Sequence, residues 1–295
     1  MTRSGIPFIY NPMAGGGSER KIRQAVHELE NLGGVLEPLP TPGPGSARAI
    51  ARDAAAAGAG RIIIAGGDGT INEVINGIGE SDIELAIIPV GTANVLAKAL
   101  SVPMQIRDAC RLAMRGEIIR LDLGLAGDRY FALMAGIGFD ALTIKNLDPL
   151  LKKTLRHAAY PISGIKTLIT EELPLISVTA GEHMTEGYFV VAANSRYYGG
   201  RFGPTPLAHM QDGLLDFCVL KEKNIPDMLR FWVSSLRREQ LEEPTAEYFR
   251  AGSAHISCPA GSQVLVQTDG EVVGELPMDV SVIPGALRIR AGIGA

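Results

Sequence analysis

Over the first 120 residues or so the chain alternates short apolar runs with stretches of helical period, the pattern that builds a parallel sheet covered on both faces. We read strands at Pro7–Tyr10, Val35–Leu39, Arg61–Ala65 and Leu85–Ile88. Between them Ser18 is expected to cap a helix running to about Leu32, and Ser46 a second through Ala57. Further helices should follow Thr70 and Thr92, and another should span Met104–Arg115. After Glu117 the texture changes to strand-like stretches at Ile118–Leu123, Tyr130–Met134, Tyr188–Ala193, Leu214–Leu220, Ala254–Ser257, Val264–Thr268 and Val280–Ile283. An antiparallel second domain is the natural reading. Helical insertions are expected within Pro149–Thr170 and near Asn224–Arg237, and Ala126-Gly127-Asp128 reads as a hairpin turn. The expected domains are therefore 1–125 and 126–285.

Hydrophobic residues make up 46% of the 295, ample for a core in each domain, so disorder is excluded as the main state. The formal charge of −4 argues against a general nucleic-acid binder, which would carry a basic face. Cys110, Cys218 and Cys258 lie far apart with no Cys-x-x-Cys pair, so neither a disulfide framework nor a zinc site can be read from them, and a reducing cytosol fits. Met1–Tyr10 reaches an Asn-Pro turn too soon for a signal-peptide core, and no apolar run of about 18 residues appears. The expectation is a cytoplasmic protein that at most lies on the inner membrane face.

The strongest local signal is Ile62-Ile63-Ile64-Ala65-Gly66-Gly67-Asp68-Gly69-Thr70, an apolar strand running into three glycines around one aspartate. Glycines let backbone N–H groups approach a phosphate without a Cβ in the way, and a following helix start adds a favourable partial charge. The loop lacks the Lys-Ser/Thr of a Walker loop and the Gly-x-Gly-x-x-Gly of a dinucleotide fold. Pro89-Val90-Gly91-Thr92-Ala93-Asn94 and Asn11-Pro12-Met13-Ala14-Gly15-Gly16-Gly17 follow two other strands. All three sit at strand carboxyl ends, the edge where open parallel sheets bind ligands, and they should converge on one nucleotide.

Asn11-Pro12…Gly15, Gly66-Gly67-Asp68-Gly69-Thr70 and Gly91-Thr92-Ala93-Asn94 resemble, in order and spacing, the diacylglycerol kinase catalytic-domain family in its soluble bacterial branch, with sphingosine kinases also similar. Arg120-Leu121-Asp122-Leu123-Gly124, Gly136-Ile137-Gly138-Phe139-Asp140, Tyr198-Gly199-Gly200, Asp212-Gly213-Leu214-Leu215-Asp216 and Asp269-Gly270-Glu271 resemble its later blocks. The resemblance implies an NAD-kinase-like, Rossmann-like α/β N-terminal domain and an antiparallel β-sandwich C-terminal domain, with ATP in the cleft and residues 286–295 returning to the first domain. It implies ATP contacts from Asn11, Pro12, Gly15, Thr41, Gly66, Gly67, Asp68, Gly69, Thr70, Asn72 and Thr92, with Asp68 helping to hold a catalytic Mg²⁺. Glu271 becomes the expected general base with Asp269 beside it, and which of the two takes the proton stays open. His209, Asp212 and Leu214 match a structural magnesium loop, His209 and Leu214 through main-chain carbonyls. Val95 stands where many members carry an acidic residue, which leaves the acceptor open among diacylglycerol, related glycerolipids and sphingoid lipids.

Basic amphipathic segments at Ile225–Arg238 and Leu150–Leu168 would suit peripheral membrane contact, although core-facing helices share the pattern. Two rival functions remain: an NAD kinase, and a non-catalytic nucleotide-binding regulator of the same fold. Whether the chain forms a homodimer stays open.

Overall fold

The computed structural model describes residues 5–15, 17–145, 173–197, 203–237 and 244–292. Two compact units emerge, one of Met1–Leu123 with Pro284–Ala295 and one of Gly124–Ile283. The first carries β1 (Ile6–Tyr10), α1 (Ser18–Asn31), β2 (Leu36–Pro40), α2 (Ser46–Ala56), β3 (Arg61–Gly66), α3 (Asp68–Ile78), β4 (Glu84–Pro89), α4 (Val95–Ala99) and α5 (Ile106–Arg115). Strands β2-β1-β3-β4 are parallel neighbours, and the end of the last strand, β16 (Met278–Ala291), runs parallel to β4 with Arg288 opposite Glu84. Ile62, Ile63, Ile64 and Ala65 are wholly buried, so β3 is covered on both faces and needs no polar alternation. At the edge, β2 carries Pro38 and Pro40, tolerable where one side of a strand has no partner.

The helix starts differ from the expected ones. Ser18 and Ser46 are the first residues of α1 and α2, not their caps; Gly17 and Gly45 precede them in the left-handed region, with no side-chain cap bond. The Ser18 hydroxyl donates to the Pro12 carbonyl and that of Ser46 to Gly43. A carboxylate from another helix outcompetes the serine at α2: Glu73 of α3 accepts from the N–H of Gly45 (2.8 Å) and of Ala47 (2.9 Å). The α2–α3 approach depends on Gly77, where a Cβ would stand 2.4 Å from the Arg48 carbonyl oxygen.

The second unit begins within β5 (Glu117–Ala126) and continues through β6 (Arg129–Phe131), β7 (Met134–Gly138), α6 (Phe139–Lys145), β8 (Ile176–Ala180), β9 (His183–Gly187), β10 (Phe189–Ala193), β11 (Leu215–Leu220), α7 (Ile225–Arg237), β12 (Ala246–Ala251), β13 (Ser253–Ser257), β14 (Leu265–Thr268) and β15 (Glu271–Glu275) to the start of β16. One sheet orders β16-β13-β8-β9, the other β12-β11-β10-β7-β14-β15. Ile176, Val178 and Ile256 from the first meet Ile137, Val190, Phe217 and Val266 from the second in one apolar core, which makes the unit a β-sandwich. The expected turn is a two-residue hairpin in which Ala126 pairs with Arg129 and Gly127 has φ 59°.

Four strands were not expected: β8, β9, β12 and β15. The expected Tyr130–Met134 strand divides into β6 and β7. β16 runs far past Ile283, because Gly285, with φ 60°, donates its N–H to buried Asp122 at 2.7 Å and the strand continues through Pro284-Gly285 instead of stopping there. In α7, Met228 and Phe231 are fully buried, with the Phe231 ring edge-on to Phe189 at 5.9 Å, so this face serves the core. The Pro149–Thr170 insertion and Tyr198-Gly199-Gly200 lie outside the described residues. Among the described residues no helix is long and apolar enough to cross a membrane.

Candidate functional site

Within the first unit the carboxyl ends of β1, β3 and β4 bring the three glycine-bearing loops into contact. The Asn11 N–H donates to the Ala65 carbonyl at 3.0 Å, and its side-chain amide reaches Thr70 Oγ1 at 3.4 Å. Asn11 Oδ1 accepts from Met13 N–H at 2.8 Å, which turns the chain sharply away from β1. Thr41, buried at the end of β2, donates its N–H to the Tyr10 carbonyl. At Gly15 a Cβ would lie 3.4 Å from Thr92 Oγ1 and from the Val90 carbonyl oxygen. At Gly91 it would come within 2.5 Å of Gly67 Cα, a separation no side chain tolerates, so the second and third loops meet because residue 91 is glycine. Thr70 folds back against Gly66 in the same way.

The N–H groups of Asp68, Gly69 and Thr70 open α3 and have no carbonyl four residues back, so they form the donor-rich end to which an anion is attracted. Asp68 Oδ1 accepts from Leu96 N–H at 3.1 Å, tying this loop to the start of α4. Burial pushes the Asp68 carboxyl above its ordinary range, and backbone N–H donors led by Leu96 and Val95 work against that. Asn94 stands before α4 with φ 49°, a conformation asparagine accepts more readily than most residues. Its side-chain amide donates to the Gly91 carbonyl at 2.9 Å, and its buried Oδ1 meets no donor among the described residues. Val95 is buried at the first position of α4. Asn72 points differently from its loop neighbours: it is buried in α3, where the Asn76 amide donates to its side-chain oxygen at 3.1 Å.

In the second unit Asp269 and Glu271 share a turn yet have opposite surroundings. Asp269, with φ 48°, accepts from Ala132 N–H at 2.8 Å through Oδ2, and from Leu133 and Met134 N–H at 2.9 and 3.0 Å through Oδ1. Both of its oxygens therefore fix the chain between β6 and β7. Glu271 is partly exposed and faces Arg129, whose Nη2 lies 3.4 Å from Oε2. Sequence reasoning missed Arg129, which sits just past the hairpin turn, and Glu73, although Thr70-x-x-Glu73 has the spacing of a helix-start acid.

The diacylglycerol kinase catalytic domain matches residues 6–126, and the YegS C-terminal NAD kinase beta sandwich-like domain matches residues 133–291. The chain belongs to the diacylglycerol kinase catalytic-domain family. It is 30% identical to the diacylglycerol kinase of Bacillus subtilis (strain 168) over 92% of this chain and 90% of that protein. A Pseudomonas putida protein named "Probable lipid kinase YegS-like" is 36% identical over 93% of this chain and 91% of its own length. The crystal structure of a diacylglycerol kinase from Bacillus anthracis covers 98% of this chain and 97% of its own with a TM-score of 0.79 at 26% identity.

The resemblance implies two cation sites, one at Asp68 and one at the Asp212 turn. Among the described residues no three His, Cys, Asp or Glu side chains gather to hold a metal. Asp68 fits nonetheless, since Mg²⁺ commonly takes one carboxylate together with substrate phosphates and water. The Asp212 turn does not fit. Asp212 Oδ1 accepts from Leu214 N–H at 3.1 Å and Oδ2 is ion-paired with Arg250, so both oxygens are engaged. His209 is exposed, and Asp216 is fully buried.

Proposed function

We propose that this chain is an ATP- and Mg²⁺-dependent lipid kinase that transfers the γ-phosphoryl group to a lipid hydroxyl. The observation that carries this reading is the meeting of the three glycine loops in the first unit around the start of α3. Gly66, Gly67 and Gly69 carry no Cβ to keep phosphate oxygens from the backbone, and Asn11, Pro12, Gly15, Thr41, Thr70 and Thr92 complete the ATP contacts. Asn72 supports them from within α3. Bound to Asp68 and the phosphates, Mg²⁺ would neutralise their charge. Glu271 accepts the proton of the lipid hydroxyl, whose oxygen bonds to the γ-phosphorus as the bond to the β-phosphate oxygen breaks and ADP leaves. Asp269 has its oxygens committed to backbone amides, which favours Glu271 as the base. Arg129, paired with Glu271 at 3.4 Å, orients its carboxylate.

The test is transfer of radiolabel from ATP to a panel of diacylglycerol, monoacylglycerol, phosphatidylglycerol, sphingoid base and ceramide, with NAD as a separate acceptor. At least one lipid should become labelled and NAD should not. Glu271→Gln should lower turnover about 10²–10⁴-fold while ATP affinity stays within a factor of two or so. ATP binding with no labelled lipid would replace this reading with that of a regulator, and labelled NADP would replace it with an NAD kinase. Peripheral contact with the inner membrane face, in a cytoplasmic protein, belongs to the same proposal, and vesicle co-sedimentation would measure it.

A further inference from the structure

The Asp212 turn is held by a side chain that the sequence pattern around it did not bring to notice. Arg250 lies on β12 directly opposite Asp216 of β11 in the antiparallel register. Its Nη2 pairs with Asp212 Oδ2, and its Nε stands 3.6 Å from Asp216 Oδ1. The Tyr248 hydroxyl donates to the same Asp216 oxygen from the same face of β12. Asp216 is fully buried and its Oδ2 has no hydrogen-bond partner among the described residues. Two carboxylates thus converge on one guanidinium, which is planar, permanently charged and able to donate to both at once.

We infer that Arg250 is the built-in counter-cation of the Asp212 turn, a guanidinium that bridges Asp212 and Asp216 where the family pattern implies a divalent ion. Arg250 and a divalent cation exclude one another. Both would claim Asp212 Oδ2, and a doubly charged ion beside a guanidinium meets a repulsion that a half-buried setting screens poorly. Arginine comes with the chain and needs no dehydration of a tightly hydrated ion, so the turn is fixed on folding whatever the Mg²⁺ supply. The inference stands apart from the kinase reading, because it concerns what holds β11 to β12 and not what the first unit binds.

The experiment uses the full chain without nucleotide, freed of metal by EDTA, and follows thermal unfolding with and without millimolar Mg²⁺, together with Mn²⁺ binding by electron paramagnetic resonance. Wild-type Tm should shift by no more than about 1 °C on adding Mg²⁺, and Asp212→Asn should release no bound Mn²⁺ relative to wild type. Arg250→Met, which keeps the stem and removes the charge, should lower Tm in EDTA, regain about 5 °C in Mg²⁺ and bind one further Mn²⁺. Arg250→Lys should remain indifferent to Mg²⁺. A wild-type chain that gains several degrees in Mg²⁺, with the gain lost in Asp212→Asn, would overturn the inference. So would an Arg250→Met chain that folds and ignores Mg²⁺. Should Arg250→Met not fold, the Mn²⁺ comparison of wild type with Asp212→Asn decides alone: an ion lost with Asp212 overturns the inference, and no such ion upholds it.

Discussion

In the first unit the loops after β1, β3 and β4 meet through bare backbone, Gly91 against Gly67 and Gly15 beside Thr92, whereas in the second unit the chain between β6 and β7 is held by a charged side chain, Asp269, taking three amides. The first arrangement brings bare backbone together and fails when a methyl group is added at Gly91. The second consumes N–H groups and fails when charge is removed. In the first unit Asp68 takes the Leu96 amide at the start of α4, while the second unit, which presents one acid, Glu271, gains from committing the neighbouring acid to the scaffold.

Three substitutions probe that contrast. Asp269→Asn should be the most damaging, costing about 3 kcal/mol in urea unfolding, because an amide group would face N–H donors that now meet a carboxylate. A loss of activity with unchanged stability would instead assign Asp269 to the chemistry. Gly91→Ala adds a methyl group with 2.5 Å to Gly67 Cα and 2.8 Å to Asn94 Oδ1. It should cost about 2 kcal/mol or less and weaken ATP binding about tenfold or more, as titration calorimetry would measure. Unchanged affinity would break the link between loop contact and nucleotide.

The smallest effect belongs to Glu84, a carboxylate of the first unit held by three arginines. Arg61 and Arg290 each lie 3.0 Å from its Oε2, and Arg288 lies 3.5 Å from Oε1, tying β3 and the returning β16 to β4. Burial would raise the Glu84 carboxyl, but hydrogen bonds from Arg290 and Arg61 and their charges hold it below its ordinary 4.5. Because the folded value is the lower one, its stabilisation is complete above the ordinary value and disappears as pH falls through the depressed one. Glu84→Gln should therefore cost about 1–2 kcal/mol at neutral pH, with the gap to wild type closing in acid. A gap independent of pH would show that packing, not charge, holds the returning strand.

The strand-then-glycine pattern at Ile62–Thr70 was legible because a fully buried strand is apolar throughout and a sharp exit toward a ligand needs residues without Cβ. The same local logic gave the hairpin at Gly127 and the change of architecture after Glu117. It did not give β9 or β12, where charged and exposed residues interrupt the apolar pattern, nor the length of β16, whose passage through Pro284-Gly285 rests on a bond to Asp122, 163 positions earlier.

Serine before a helical stretch looks like a cap until another helix brings Glu73 to the amides of Gly45 and Ala47, and strand pairing sets Arg250 across from Asp216, where it meets Asp212. Residue order by itself determined the period of each segment and the places where the backbone had to be bare, since both depend on neighbours a few positions away. Only the tertiary structure decided which charges meet, because a carboxylate's partner is selected by distance in space, and Glu73, Asp212 and Asp269 find theirs 26 to 137 positions away.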